Sequence, residues 1–267
     1  MPITQSIVEQ PKPLQTDPDG VERFAHVEIE INSRCDCNCW GCDRFIDVAP
    51  TGPMTVEQIE HFVAESLNLE WRWERIHILG GEPTLHQQFV PIVETLCRYR
   101  DRYPDCLVRV ISNGRGQLAA YRTWLTAREV PIRIEAKAPG IEPDWFRNVR
   151  IAPCDEVPEH SQVPPCGIFG IRGCGLGLTK HGFFLCGAGA SIARVVGLDI
   201  GVMQLRHVTH AAMLKQAKSL CHICGHWSGP GYPPKLISET GPVMSPFWQR
   251  TLADWMPRPM TLYGKGP

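Results

Sequence analysis

Residues 26–42 read His26-Val27-Glu28-Ile29-Glu30-Ile31-Asn32-Ser33-Arg34-Cys35-Asp36-Cys37-Asn38-Cys39-Trp40-Gly41-Cys42. The first six alternate polar with apolar, which is the period of a half-buried strand, and they deliver the chain into a loop dense in thiols. The same architecture repeats downstream. Thr55 and Gln58 have the spacing of a capping box, and Ile59, Phe62, Val63 and Leu67 follow at helical intervals. Arg75 to Leu79 is a short strand ending in Gly80-Gly81-Glu82-Pro83, after which Phe89, Ile92, Val93, Leu96 and Cys97 mark one helix face. Leu107 to Ile111 is the next strand, stopping at Ser112-Asn113-Gly114 before a helix with Leu118, Tyr121 and Leu125. Ile132 to Glu135 gives a fourth strand and Val149 to Ala152 a fifth.

Strands alternating with helices of ten or more residues imply right-handed crossovers and a parallel sheet. The expected fold is therefore α/β with a parallel sheet of five to six strands and a small C-terminal α+β extension. The glycine-rich and polar turns all fall where strands end, the edge at which parallel α/β proteins bind ligands.

Four segments are expected. Residues 1–25, with Pro2, Pro11, Pro13 and Pro18, form an N-terminal arm, and residues 26–158 form the main α/β domain. Residues 159–229 form the extension: glycine rises, Leu176-Gly177-Leu178 and Phe183-Phe184-Leu185 flank Gly182 as a hairpin, and His210 to Leu220 is a helix running into Cys221-His222-Ile223-Cys224. Residues 230–267 form a tail rich in proline and aromatics that wraps rather than folding separately.

The chain has 267 residues, 43% of them hydrophobic, enough for one sizeable core. Its 27 Lys and Arg against 28 Asp and Glu leave a formal charge of −1, so no field favours nucleic acid or a membrane surface. It has no run of eighteen apolar residues and no signal-peptide pattern, which makes a cytoplasmic protein the expectation. Twelve cysteines in such a chain point to metal rather than disulfides. Nine fall in two sets, Cys35/Cys37/Cys39/Cys42 and Cys166/Cys174/Cys186/Cys221/Cys224.

Cys35, Cys39 and Cys42 stand in a Cys-x3-Cys-x2-Cys arrangement. Three thiolates at this spacing hold three corners of a cubane cluster and leave the fourth iron for an outside ligand. A zinc loop with Cys37 as fourth ligand is the alternative. Cys37 falls outside the x3–x2 spacing and is read as a bystander.

Three cysteines after strand one, Gly80-Gly81-Glu82-Pro83 after strand two and Ser112-Asn113-Gly114 after strand three, in that order, resemble the radical S-adenosylmethionine superfamily over residues 26–155. The resemblance implies that the sheet is a partial parallel (β/α) barrel of five to six strands, and that Cys35, Cys39 and Cys42 ligate a [4Fe-4S] cluster whose open iron chelates S-adenosylmethionine. It implies that Gly80, Gly81, Glu82 and Pro83 bind that cofactor, Glu82 as partner of the methionine ammonium. Ser112 and Asn113 are implied as contacts of its ribose or carboxylate. The family often carries an aromatic residue immediately before the third cysteine; here Gly41 holds that place, and Trp40 is the candidate for adenine.

The second set, Cys186 after a glycine turn and Cys221-x2-Cys224 after a helix, resembles the twitch module, the shorter form of the SPASM extension. That resemblance implies a second, auxiliary [4Fe-4S] cluster, with Cys166 or Cys174 as the fourth ligand. A zinc site using His222 or His226 has equally suitable spacing.

The activity implied is reductive cleavage of S-adenosylmethionine to a 5′-deoxyadenosyl radical and hydrogen abstraction from a substrate carbon. The leading outcome is net two-electron dehydrogenation of a small biosynthetic metabolite such as a sugar or aminocyclitol, because a barrel with a single-cluster extension resembles the aminocyclitol alcohol dehydrogenases. A reductant such as flavodoxin or ferredoxin is implied as partner. Three alternatives stand beside this reading: a radical epimerase using Cys154 as hydrogen donor, a peptide maturase, and a non-catalytic iron–sulfur or zinc electron carrier or sensor.

Overall fold

The alternation over residues 26–31 becomes strand β1, His26–Asn32, whose Val27, Ile29 and Ile31 are buried. It lies inside a six-stranded sheet of the computed structural model, which describes residues 15–16, 22–37, 42–46, 49–135, 175–224, 237–238, 241–242 and 246–264. Helix α1, Val56–Asn68, starts at the expected capping box: Gln58 N–H donates to Thr55 Oγ1 at 3.3 Å, and Thr55 N–H donates to Gln58 Oε1 at 3.0 Å. Strand β2 is Arg75–Gly80, α2 is Phe89–Arg102, β3 is Leu107–Ser112, α3 is Leu118–Ala127 and β4 is Ile132–Ile134. The helices bury the faces read from the sequence: Ile59, Phe62 and Val63 on α1, Phe89, Ile92, Val93, Leu96 and Cys97 on α2, and Leu118 and Leu125 on α3.

The hairpin is present as β5, Leu176–Thr179, and β6, Gly182–Phe184, with Gly182 at φ +96° where a side chain is disfavoured. Its first strand does not stand apart from the barrel. β5 pairs in parallel with β1, Val27 opposite Leu176 and Ile29 opposite Leu178. The sheet order is β4-β3-β2-β1-β5-β6, parallel through its first five strands, and among the described residues it does not close on itself. This is a partial β/α barrel.

Its two faces are covered differently. Phe183 of β6 pairs with Leu178, which pairs with Ile29, so the three share a face. The Phe183 ring meets Phe62 of α1 at 6.2 Å, which puts α1 on that side. The opposite face of β1 carries Glu28 and Glu30. It meets α4, Gly187–Val196, through an ion pair from Arg194 to Glu30. Helix α5, His210–Leu220, occupies the expected residues, and α6 is Pro246–Ala253. Two-residue ladders pair 15–16 with 22–23 and 237–238 with 241–242. Residues 258–263 run back over the hairpin: Tyr263 N–H donates to the Lys180 carbonyl at 2.9 Å, and Arg258 donates to the Val196 carbonyl at 2.7 Å.

The strand expected at 149–152 and the boundary between residues 158 and 159 lie outside the described residues. Among those described, no helix is long and apolar enough to cross a membrane.

Candidate functional site

The ends of β1, β2 and β3 bring the three sequence motifs to one edge of the sheet. The contact between the first two is backbone against backbone. Gly81 N–H donates to the Asn32 carbonyl at 2.9 Å, and Glu82 N–H donates to the Arg34 carbonyl at 2.7 Å. A Cβ at Gly80, whose φ is +154°, would overlap the Asn32 carbonyl. One at Gly81 would overlap the Arg34 carbonyl and come within 3.0 Å of Cys35 Cβ. The glycine pair is therefore what lets the β2 loop seat directly on the cysteine loop.

Glu82 is fully buried. Oε1 accepts from the Thr84 hydroxyl at 2.6 Å, Thr84 N–H at 3.2 Å and the Ser112 hydroxyl at 3.0 Å, while Oε2 accepts from Ser112 at 2.9 Å and Asn113 N–H at 2.8 Å. All these donors are neutral, and among the described residues no cationic side chain forms an ion pair with it. A buried carboxylate held this way is oriented but keeps its charge uncompensated, the condition under which a cationic ligand group gains most. His86 supports the same loop from within: its Nε2 lies 2.9 Å from the Met54 carbonyl, Gln88 N–H donates to its Nδ1 at 2.9 Å, and burial lowers its pKa.

Asn113 joins the third motif to the first. Its side-chain Nδ2 donates to Asp36 Oδ1 at 2.7 Å and lies 3.3 Å from Cys37 Sγ and 3.8 Å from Cys35 Sγ. Gly116 N–H donates to Asp36 Oδ2 at 2.8 Å. Cys35, Asp36 and Cys37 bring their ligand atoms within 4.8 Å of one another, beside an open cavity of about 530 Å3 lined by all three with Ser33, Arg34, Ile46 and Leu85. Burial pushes both thiols above their usual pKa. Cys37 thus stands with Cys35 at the cavity, although sequence spacing reads it as a bystander. Cys42 is half-buried, whereas Cys39 and Trp40 lie outside the described residues.

Sequence reasoning did not single out Asp36 or Thr84. Thr84 stands two residues after Glu82, the spacing at which Ser and Thr side chains fold back on a loop, so a local signal existed for it. Asp36 has no such signal, because its partners Asn113 and Gly116 are 77 and 80 residues away.

In the second set, Cys186 is the N-cap of α4, with Gly189 N–H donating to its Sγ at 3.2 Å. Cys221 and Cys224 flank a single 3-10 turn at the end of α5. Gln216 ties α5 to the hairpin, accepting from Leu185 N–H at 2.7 Å and donating to the Phe183 and Ile200 carbonyls at 3.0 and 2.8 Å. Buried Trp248 on α6 donates to the Ile223 carbonyl at 3.2 Å. Among the described residues, Cys186, Cys221 and Cys224 do not form a group with all ligand atoms inside 4.8 Å. Cys166, Cys174, His226, the His222 side chain and Cys154 lie outside the described residues.

No family model and no curated protein matches the chain. Among solved structures it is similar to BtrN in complex with AdoMet and 2-DOIA, with a TM-score of 0.55 and 15% identity over 79% of this chain and 95% of that one. It is also similar to BtrN in an open conformation, with a TM-score of 0.50 and 14% identity over 78% and 94% of the two chains. The likeness shows a shared fold, a partial β/α barrel whose motif-bearing loops gather at the C-terminal ends of its parallel strands.

Proposed function

We propose that this chain is a radical S-adenosylmethionine enzyme that oxidises a small polar metabolite by two electrons. The observation that carries the reading is the convergence of Cys35, Gly80-Gly81-Glu82 and Ser112-Asn113 at one edge of the sheet, beside a cavity that Cys35 lines. The BtrN structure holds AdoMet in the same fold, which supports a site for that cofactor here. The donor set Cys35, Cys39 and Cys42 suits a [4Fe-4S] cluster, because three thiolates in a Cys-x3-Cys-x2-Cys loop hold three irons and leave a coordination place on the fourth for the cofactor. Such a cluster, once reduced, would supply the electron for cleavage of S-adenosylmethionine to methionine and a 5′-deoxyadenosyl radical, the species that would take hydrogen from an unactivated substrate carbon.

The chain's own work is to hold, orient and exclude water. Cys35, Cys39 and Cys42 are assigned as iron ligands. Glu82 is assigned to the methionine ammonium, with Ser112, Asn113 and Thr84 fixing its carboxylate, and Pro83 starts the turn that follows it. Trp40 is assigned to adenine. Cys186, Cys221 and Cys224, with Cys166 or Cys174, would hold a second [4Fe-4S] cluster, which would supply a one-electron acceptor so that, with loss of a proton, the substrate is oxidised by two electrons in all. A flavodoxin or ferredoxin is the proposed reductant, and the cytoplasm the proposed compartment.

The test is anaerobic reconstitution with iron and sulfide, reduction, addition of S-adenosylmethionine, and detection of 5′-deoxyadenosine by mass spectrometry beside Cys39→Ala. Product in the wild type alone is the expected result. Bound zinc with no iron uptake would sink the reading in favour of a structural metal protein.

A further inference from the structure

Two buried arginines stand between the two cysteine sets, and neither is used by the site described above. Arg44, two residues after Cys42, donates from Nη2 to Glu28 Oε2 at 2.6 Å. Its guanidinium rests on Gly187, the residue after Cys186, so closely that a Cβ there would overlap Nη1. Arg194 lies seven residues further along α4, two helical turns on and therefore on the same face. Its three nitrogens reach Glu30 Oε1 at 3.1 Å, the Ala49 carbonyl at 2.8 Å and the Arg44 carbonyl at 2.5 Å. The segment it grips begins at the first cysteine loop, since Phe45 N–H donates to the Cys42 carbonyl and Ala49 N–H to the Phe45 carbonyl. Gly177 on β5 completes the seat, because a Cβ there would come within 2.7 Å of the Cys186 carbonyl carbon and the Gly187 nitrogen.

The Arg194–Glu30 pair is almost wholly buried, and Glu28 and Arg44 are nearly so. Buried ion pairs add little net stability compared with well-packed apolar side chains, but they tolerate one register only. The geometry points to a latch: Arg44 and Arg194 fix the loop bearing Cys42 against the first turn of the helix bearing Cys186, so that both cysteine sets are positioned as one unit. These are positioning residues. The inference rests on the proposed function for what the thiols hold, and on the contacts above for the coupling itself.

The test reads thiols rather than turnover. Full-length, iron-free protein is pulsed anaerobically with N-ethylmaleimide, and each cysteine is quantified by peptide mass spectrometry. Three variants are used: Arg44→Met; Gly187→Ala, which displaces the guanidinium without altering the first loop; and the charge-neutral double variant Glu30→Gln/Arg194→Met, which leaves no lone buried charge. In each, Cys42 and Cys186 are expected to react about tenfold faster together, as a tenfold shift in local opening would give, while buried Cys97 and Cys106 stay protected. Acceleration at Cys42 with Cys186 at its wild-type rate would overturn the latch. So would acceleration at all four, which signals general unfolding. Iron uptake by the wild type is measured separately: if it takes up none, the iron–sulfur reading falls while the paired thiol response still decides the latch.

Discussion

The Ser112 hydroxyl lies 3.0 Å from Oε1 and 2.9 Å from Oε2 of Glu82, so one donor at the end of β3 spans a carboxylate supplied by the end of β2. Because β2 and β3 are neighbours in the sheet, the strand pairing brings Ser112 beside the loop after β2, and that loop, seated on the Arg34 carbonyl, presents Glu82 to it. Removing the donor leaves the charge in place but less fixed. Ser112→Ala is expected to weaken S-adenosylmethionine binding by roughly three- to tenfold, less than the full worth of a hydrogen bond to a charged group, because Ser112 orients Glu82 and Oε1 and Oε2 keep their bonds from Thr84 and Asn113. Glu82→Gln removes the charge itself and is expected to cost about 100-fold or more. Equilibrium dialysis with the folded, reconstituted variants checks both, and equal effects would argue that Ser112 does more than orient the carboxylate.

Gly81→Ala tests the seat between the first two motifs. Its Cβ meets the Arg34 carbonyl and Cys35, so either the cysteine loop or the β2 loop must move. The expected outcome is a loss of about 1–3 kcal/mol in urea unfolding together with reduced iron uptake at the first set. Full iron loading with the same loss of stability would show that the cysteine loop tolerates the displacement.

Much of this was legible in the sequence, and the reason is local. Gly80-Gly81, Ser112-Asn113-Gly114 and Gly182 punctuate short apolar runs, and Thr55 and Gln58 mark a helix start by spacing alone. What was illegible depends on partners distant in the chain. Helix α4 begins Gly-Ala-Gly-Ala, a composition of mixed helix propensity, and Arg194 on its buried face meets Glu30, Arg44 and Ala49, 145 to 164 residues earlier. The addition of β5 to the barrel sheet is a choice of neighbour, which periodicity does not encode. Asn113 reads as a ligand contact, and its partners Asp36 and the first-loop thiols, 76 to 78 residues away, have no signal near it in the sequence.

His77 gives the chain an acid-sensitive element. It lies on β2 opposite Glu28 and Arg109, with its Nε2 buried and without a hydrogen-bond partner among the described residues. Burial first, then the positive charges of Arg109, His26, Arg133 and Arg75, push its pKa down to about 4. In the unfolded chain the value returns to about 6.5, so between these limits the unfolded state binds a proton that the folded state refuses. Its contribution is complete above pH 6.5 and is lost as pH falls toward 4. Between pH 7.5 and pH 5.0 the wild type is expected to lose about 2 kcal/mol more than His77→Gln, measured by urea unfolding. His86 and His181 shift in the same direction and remain in both proteins, so the difference between the two curves isolates His77.

Gln216→Leu tests how the second cysteine segment is attached. The side chain satisfies one buried N–H and two carbonyls on the hairpin and the loop after α4, and leucine would leave all three without it. The expected cost is about 2–4 kcal/mol. A loss below about 0.5 kcal/mol would mean that these groups find other partners at little cost.

The two cysteine sets should separate by function. Cys35 lines the cavity beside Gly81 and Glu82, whereas Cys221 lies at the end of α5, held to the hairpin through Gln216 and to α6 through Trp248. If each set holds four irons, Cys35→Ala and Cys221→Ala should each fall from about eight irons per chain to about four. They should differ in what remains: Cys35→Ala forms no 5′-deoxyadenosine, while Cys221→Ala still forms it on addition of dithionite but fails to complete substrate oxidation. Iron analysis and 5′-deoxyadenosine assays on the same preparations check this. Loss of 5′-deoxyadenosine in both variants, with iron absent only from the mutated set, would assign the second set to holding the first loop in place rather than to taking up an electron.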